Sequence, residues 1–348
     1  MTKPDHRSIA FVFALLFALG ALNAISQPIE NVTIKKIWEE GEHNAFTDLI
    51  HFKGHFYCSF REGSGHIPGT DGIVRIIRSS DGQHWTSVAK LSKEGIDLRD
   101  PKLSITPKGK LMVIMGGSIY RNGKLEGRKP QVSFSDKQGN EFTEPEEVEI
   151  DPEVQSWGSW LWRVTWHKGW GYTIDYQIGP DERRGPTKMY LMRTKDGKRF
   201  KKVSPIELDG FPNEATVRFD ADGNLHAMIR REIDDQMGVW AVSKPPFQDW
   251  RFNKMNIRLG GPNFIFDPKG RIIAGTRVYK PHVYTALFTG KPDGKFKEIV
   301  KFPASGDTSY PGLVIHDQKL WVSYYSSHEG KTSIYLAVIP LAELEMAL

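Results

Sequence analysis

Six times along the chain an extended run, a tight turn and a second extended run follow one another, and this recurrence restricts the possible folds more than any other feature. The first copy, Ala45–Arg61, reads AFTDLIHFKGHFYCSFR, with its turn at Lys53-Gly54. The others are RDPKLSITPKGKLMVIMGG from Arg99, WRVTWHKGWGYTIDY from Trp162, NEATVRFDADGNLHAMIRR from Asn213, GPNFIFDPKGRIIAGTR from Gly261 and YPGLVIHDQKLWVSYY from Tyr310. Their turns fall at Gly54, Gly109, Gly169, Gly223, Gly270 and Gln318, about 47 to 60 residues apart. Turn residues between β-rich runs mark hairpins, and hairpins at this period read as blades around an axis rather than strands of an open sandwich. The expected fold class is all-β, a six-bladed β-propeller over residues 30–345.

The sixth hairpin is followed by one more strand-like run, Ser333–Leu341 (SIYLAVIPL), and no fourth. Val32–Trp38 (VTIKKIW), at the other end of the chain, can supply it. Such an N-terminal strand closes the ring and removes two exposed sheet edges.

Residues 1–24 read as a secretory signal peptide. Lys3 and Arg7 precede an almost wholly apolar run, Ile9–Leu22, and small residues follow up to Ala24. The run is shorter than the roughly 20 residues of a membrane span. A secreted or periplasmic protein is expected, with no membrane association after cleavage. Cys58 is the only cysteine, so no intrachain disulfide can form and stability must come from sheet packing. The 10 Trp, 11 Tyr and 19 Phe suit both stacked sheets and surfaces that hold sugar rings. The 47 basic and 42 acidic residues are scattered and leave a net charge of +5. With no Lys/Arg block, this argues against nucleic acid as a partner, while a modest positive bias suits an anionic ligand. There is no HExxH, no Cys/His metal spacing and no Gly-rich phosphate loop, so neither metal nor cofactor is expected.

Shorter landmarks follow the hairpins. Ser79-Ser80-Asp81-Gly82-Gln83-His84-Trp85 and Thr194-Lys195-Asp196-Gly197-Lys198-Arg199-Phe200 are two versions of one pattern. Degenerate copies lie at Ser135–Phe142, Ser243–Trp250 and Pro292–Phe296. Their aspartates are expected to form turns rather than to act chemically. Counting seven residues on from each hairpin turn reaches Arg61, Gly116, Tyr176, Arg230, Arg277 and Tyr325. Three arginines on one ring around the axis could hold a carboxylate or sulfate in bidentate fashion. Counting nine back gives Ala45, Asp100, Trp160, Glu214, Gly261 and Ser309, with Tyr310 one residue later.

Six blades, Asp-box turns of the form S/T-x-D-x-G-x-x-W/F and these arginines resemble the sialidase (neuraminidase) superfamily over nearly all of the chain after the leader. The resemblance implies that Arg230 and Arg277 are two of three arginines holding a sugar carboxylate. It makes Tyr310 the nucleophile and Glu214 the base beside it. A neutral phenol can approach an anionic sugar without repulsion, but with a pKa near 10 it needs a base to accept its proton. Tyrosine nucleophiles are an established departure from the two-carboxylate scheme of glycosidases. The family's first arginine, in a F/Y-R-I-P motif, falls on Ala45 and is missing. Arg61 resembles an additional family arginine, and Arg163 could replace the missing one from another register. The acid is expected in the loop after Arg61, as His66 or Asp71, or from the next blade as Asp100.

What this implies is an exo-glycosidase of sialidase type releasing a terminal acidic sugar, sialic acid first, from a glycan or glycoconjugate. A uronate-directed glycosidase or lyase using His66 remains open, as does a non-catalytic propeller that binds anionic glycans. Tyr310 Oη within hydrogen-bond reach of Glu214 would separate catalysis from binding.

Overall fold

The computed structural model describes residues 32–67, 71–179 and 187–345. The leader proposed for residues 1–24 lies outside them. Six antiparallel sheets of about four strands form the six-bladed propeller. In each, a turn signal in the sequence separates the innermost strand from its neighbour. The first blade runs outward through His43–Phe52, His55–Gly63, Ile73–Ser79 and Thr86–Leu91. The fourth uses Pro212–Phe219, Leu225–Arg231, Met237–Ser243 and Arg251–Arg258, and the fifth Asn263–Phe266, Ile272–Val278, Tyr284–Gly290 and Phe296–Lys301.

The second blade starts from Asp97–Ile105 and Leu111–Arg121, and the third from an inner strand broken into Ser159–Leu161 and Thr165–His167. The sixth holds Thr308–His316, Lys319–Ser326 and Ser333–Pro340, and Thr33–Trp38 pairs antiparallel with the last of these, Thr33 opposite Val338. A single helical turn, Leu341–Glu345, follows.

Apolar side chains fill the spaces between blades, where two sheet faces meet. One cluster joins Phe46, Leu49, Trp160, Trp162, Ile174 and Tyr310 near the axis. Polar side chains on the inner strands link neighbouring blades. Thr47 Oγ1 donates to Tyr310 O (2.7 Å), Thr165 Oγ1 to Val217 O (2.6 Å), Thr216 Oγ1 to Pro262 O (2.8 Å) and Asn263 Nδ2 to Pro311 O (2.9 Å). Each satisfies a carbonyl that its own sheet leaves free, as a buried backbone group requires. Cys58 is buried and unpaired. No helix among the described residues is long and apolar enough to cross a membrane.

Asp81 and Asp196 close turns. Asp81 Oδ1 accepts from the backbone N–H of Gln83 (2.7 Å) and His84 (2.9 Å), and Asp196 Oδ1 from those of Lys198 and Arg199 (2.9 Å each). Both turns connect the third strand of a blade to its fourth, away from the innermost strands.

Candidate active site

The innermost strands of the first, second and sixth blades begin with the same irregularity, which the fourth blade shares between Pro212–Arg231 and Ala215–Ile229. Pairing runs from Ala45–Arg61 to Asp48–Ser59 in the first blade, from Arg99–Gly116 to Lys102–Ile114 in the second and from Ser309–Tyr325 to Gly312–Ser323 in the sixth. An extra residue is accommodated each time, a β-bulge, and such bulges re-aim a side chain. In the first, second and sixth blades the residue after the first pair has positive φ: Phe46 (64°), Asp100 (48°) and Tyr310 (51°). Non-glycine residues take this conformation only when their surroundings hold them there. Phe46, Asp100 and Tyr310 are therefore equivalent positions at one end of the channel.

The Tyr310 ring packs against Phe46, Trp162 and Tyr325 at centroid distances of 5.1, 5.9 and 6.0 Å. On another side lies Gly261, where a Cβ would come within 2.6 Å of the ring, so only glycine fits. The hydroxyl of Tyr310 donates to Glu214 Oε1. The other oxygen, Oε2, accepts from Gly261 N (2.8 Å) and pairs with Arg230 Nη1 (2.8 Å). Burial alone would push the Glu214 carboxyl up, but Arg230 and these hydrogen bonds hold it below its ordinary value. Burial pushes the Tyr310 hydroxyl well up, with the charges of Glu214 and Asp100 adding to it. The pair is a proton donor already in contact with an ionised acceptor.

The arginines that counting from the turns gave have different partners. Arg61 is buried under the following loop, where Nε donates to Asp97 Oδ1 and Nη1 to Gly65 O (both 2.8 Å). A Cβ on Gly63 or Gly72 would collide with its guanidinium. Arg163 is buried against Asp48, Nη1 to Oδ2 at 2.5 Å. Arg230 reaches Glu214 and also Glu232. Arg277 donates from Nε to Thr308 O (2.7 Å) and from Nη2 to Tyr325 Oη (3.1 Å).

In the fourth blade the counting slips by one residue. The first hairpin closes through two residues, Phe52 opposite His55, whereas the fourth needs five, Phe219 opposite Leu225. Arg231, not Arg230, stands opposite Pro212, in the place where Arg61 faces Ala45.

A further arginine stands one ring away from Tyr310, and sequence reasoning missed it. Arg99 lies over the Phe46 ring at 5.1 Å and stands 3.8 Å from Asp97 Oδ2. Phe46 packs on Tyr310, as does Tyr325, which accepts from Arg277, while Arg230 pairs with the carboxylate to which Tyr310 donates; Arg61 instead pairs with Asp97. The available signal was its place just before Asp100, the position held by Ala45 and Ser309 in the first and sixth blades.

The three acid candidates have different settings. Asp71 is exposed, its carboxyl pushed up by partial desolvation and by Asp97. Asp100 is 9% exposed and its Oδ1 is buried with no hydrogen-bond partner. Burial pushes its carboxyl up, with Glu214 adding and with Arg99 and Lys102 opposing. Lys102, just below, is pushed down to about 8 by burial, against the pull of Asp100 and Asp48.

His66 lies at the rim, edge-on to Phe46, its Nδ1 2.7 Å from Asp307 Oδ2. His43 Nε2 is 2.9 Å from the same oxygen, and Tyr325 Oη donates to Asp307 Oδ1 (3.0 Å). Burial would push the Asp307 carboxyl up, but the contacts from His43 and His66 hold it far below the usual range.

His43, His66 and Asp307 are also a donor set of the kind that binds metals, their atoms all within 4.8 Å of one another. Two features fit a metal poorly. His43 Nδ1 is buried without a partner, although ligating imidazoles normally donate their second N–H, and Arg277 Nη2 stands 3.7 Å from Asp307 Oδ1. The cluster is better described as a carboxylate held by donors from several strands.

No protein-family model and no curated protein matches the sequence. Solved structures do match in fold. A protein of unknown function from Dyadobacter fermentans superposes with a TM-score of 0.75 at 18% identity, over 88% of this chain and 98% of that one. A Trypanosoma rangeli sialidase in complex with sialic acid gives 0.70 at 12% identity, over 92% of this chain, which spans 60% of that longer protein. The NanB sialidase from Streptococcus pneumoniae gives 0.69 at 11%, over 89% and 71% of the two chains.

Proposed function

We propose that the protein is a secreted exo-glycosidase of sialidase type that removes a terminal acidic sugar, sialic acid first, from glycans or glycoconjugates. The contact between Tyr310 Oη and Glu214 Oε1 carries this reading, because a module that only binds glycans has no need of a phenol aligned on a buried carboxylate. Tyr310, held by Glu214 whose charge Arg230 pairs with, attacks the anomeric carbon as its proton passes to Glu214 and the glycosidic bond breaks; water then cleaves the tyrosyl–sugar bond as the proton returns to Tyr310. Arg99 and Arg277 hold the sugar's acid group, as the missing arginine at Ala45 requires a replacement from another strand. Arg61 has a different role, anchoring the loop that carries His66 and Asp71.

Asp100 serves as the acid. It occupies the bulge position equivalent to Tyr310, and burial favours its protonated form. A carboxylic acid kept neutral in this way can protonate a leaving oxygen near neutral pH. The fold likeness to the sialidases supports the reading at the level of architecture. The test is hydrolysis of a panel of fluorogenic glycosides that includes sialic acid and uronic acids. Release from one acidic glycoside, and none from its neutral counterpart, is expected. Binding without turnover across the panel would replace hydrolysis with glycan recognition.

A further inference from the structure

The axial channel has a second charged region at its other end. Inner strands start at the Tyr310 end and finish in hairpin turns on the opposite face. Towards that face Leu49, Leu103, Arg163, Thr165, Arg218 and Leu313 help line a cavity of about 240 Å³. They come from five different blades, so the cavity lies on the axis.

Its charges do not balance. Arg163 is 4% exposed, and its Nη1 pairs with Asp48 Oδ2, which also accepts from Leu103 N (2.7 Å). Arg163 Nε is buried with no partner. Arg218 has only neutral acceptors: Nη1 donates to Thr165 Oγ1 (2.8 Å) and Val217 O (3.0 Å), and Nη2 to Asn263 Oδ1 (3.1 Å). Among the described residues it belongs to no ion pair. Burial and the nearby Arg163 push the Arg218 guanidinium down to about 9, with Asp48 only partly opposing. Two guanidinium groups thus share one carboxylate, in a place where an uncompensated charge is costly. Lys102, between this region and Asp100, adds positive charge rather than removing it.

We propose that this cavity binds a small inorganic anion, chloride or an oxyanion, between Arg163 Nε and the Arg218 guanidinium. The volume admits either, and both bring the missing negative charge. Bound there, the anion screens the two arginines from each other and ties the inner strands of the third and fourth blades together. The site is separate from Tyr310 and stands whether or not that residue is catalytic.

The experiment is thermal unfolding of the whole protein at fixed ionic strength, replacing gluconate stepwise by chloride, sulfate or phosphate. A saturable rise of roughly 2–4 °C is expected with the preferred anion. Arg218→Gln should abolish that rise, and in gluconate alone it should unfold no earlier than the parent, because it removes the repulsion. A response to chloride identifies a halide site, and a response to sulfate or phosphate only identifies an oxyanion site. No saturable response to any of them, or one that survives Arg218→Gln, overturns the proposal. If Arg218→Gln does not fold, crystals of the unaltered protein soaked in bromide decide. An anomalous peak between Arg163 and Arg218 supports the site, and its absence together with a flat sulfate and phosphate response rejects it.

Discussion

Asp100 and Tyr310 occupy the same bulge position in two different blades, each with positive φ, and their side chains are thereby turned toward one end of the channel. The proposed acid and the proposed nucleophile are thus two copies of one structural slot, filled differently. Phe46 fills the same slot in the first blade and supplies packing instead. The assignment can be tested one slot at a time.

Replacing Tyr310 by Phe removes a hydroxyl and leaves the ring packing with Phe46 and Trp162 in place. Turnover of the acidic glycoside should fall by about 10³-fold or more while folding and substrate affinity persist. Glu214→Gln should cost roughly 10²–10⁴-fold. The double variant should be little worse than the poorer single one, since the two act as a unit. Steady-state kinetics on purified variants check this, and near-normal turnover in Tyr310→Phe would remove the tyrosine mechanism.

Asp100 must be protonated to act as an acid. Its carboxyl is raised by burial, so kcat/KM should fall as pH climbs through that raised value. Asp100→Asn should erase that alkaline limb. It should also spare substrates with good phenolic leaving groups, which need little protonation, more than alkyl glycosides. Should the limb persist in Asp100→Asn and vanish in His66→Gln, the acid is His66.

The carboxyl of Asp307 is depressed, so it contributes stability that is fully present above its unfolded value of about 3.9 and is lost as pH falls through the folded one. Melting temperature should begin to drop below roughly pH 5 and go on dropping below pH 3. Asp307→Asn should show a shallower acid-side loss and a lower melting temperature at pH 7. Equal acid slopes in both proteins would show that other carboxylates govern acid unfolding.

Asp196 stabilises its turn through two backbone N–H groups and Arg199. Asp196→Ala should lower stability by roughly 1–2 kcal/mol and leave turnover of the folded enzyme intact. Denaturant unfolding beside an activity assay separates the two effects.

The hairpins, and with them the blades, could be read directly because turn residues and β-rich runs are local signals. Tyr310 and Glu214 could be paired on paper because both resemble sialidase residues near the start of an inner strand. The arginines were harder. Arg231, not Arg230, takes the place of Arg61 in the fourth blade, and no local signal records that shift. Arg61 looked available until Asp97, from the next blade, occupied it. Asp307 and Arg99 carry no motif of their own and gain meaning only from what other strands place beside them.

Thr33–Trp38 finds its partner in Ser333–Pro340, almost the whole chain away. During synthesis this first strand must wait until the last one has been made. Through that interval the sixth blade lacks one strand and the first strand has nothing to pair with. Closing such a long loop is slow, because distant contacts reward the chain only after their closure entropy has been met. The pairing of Thr33–Trp38 with Ser333–Pro340 is thus among the last contacts available to the growing chain.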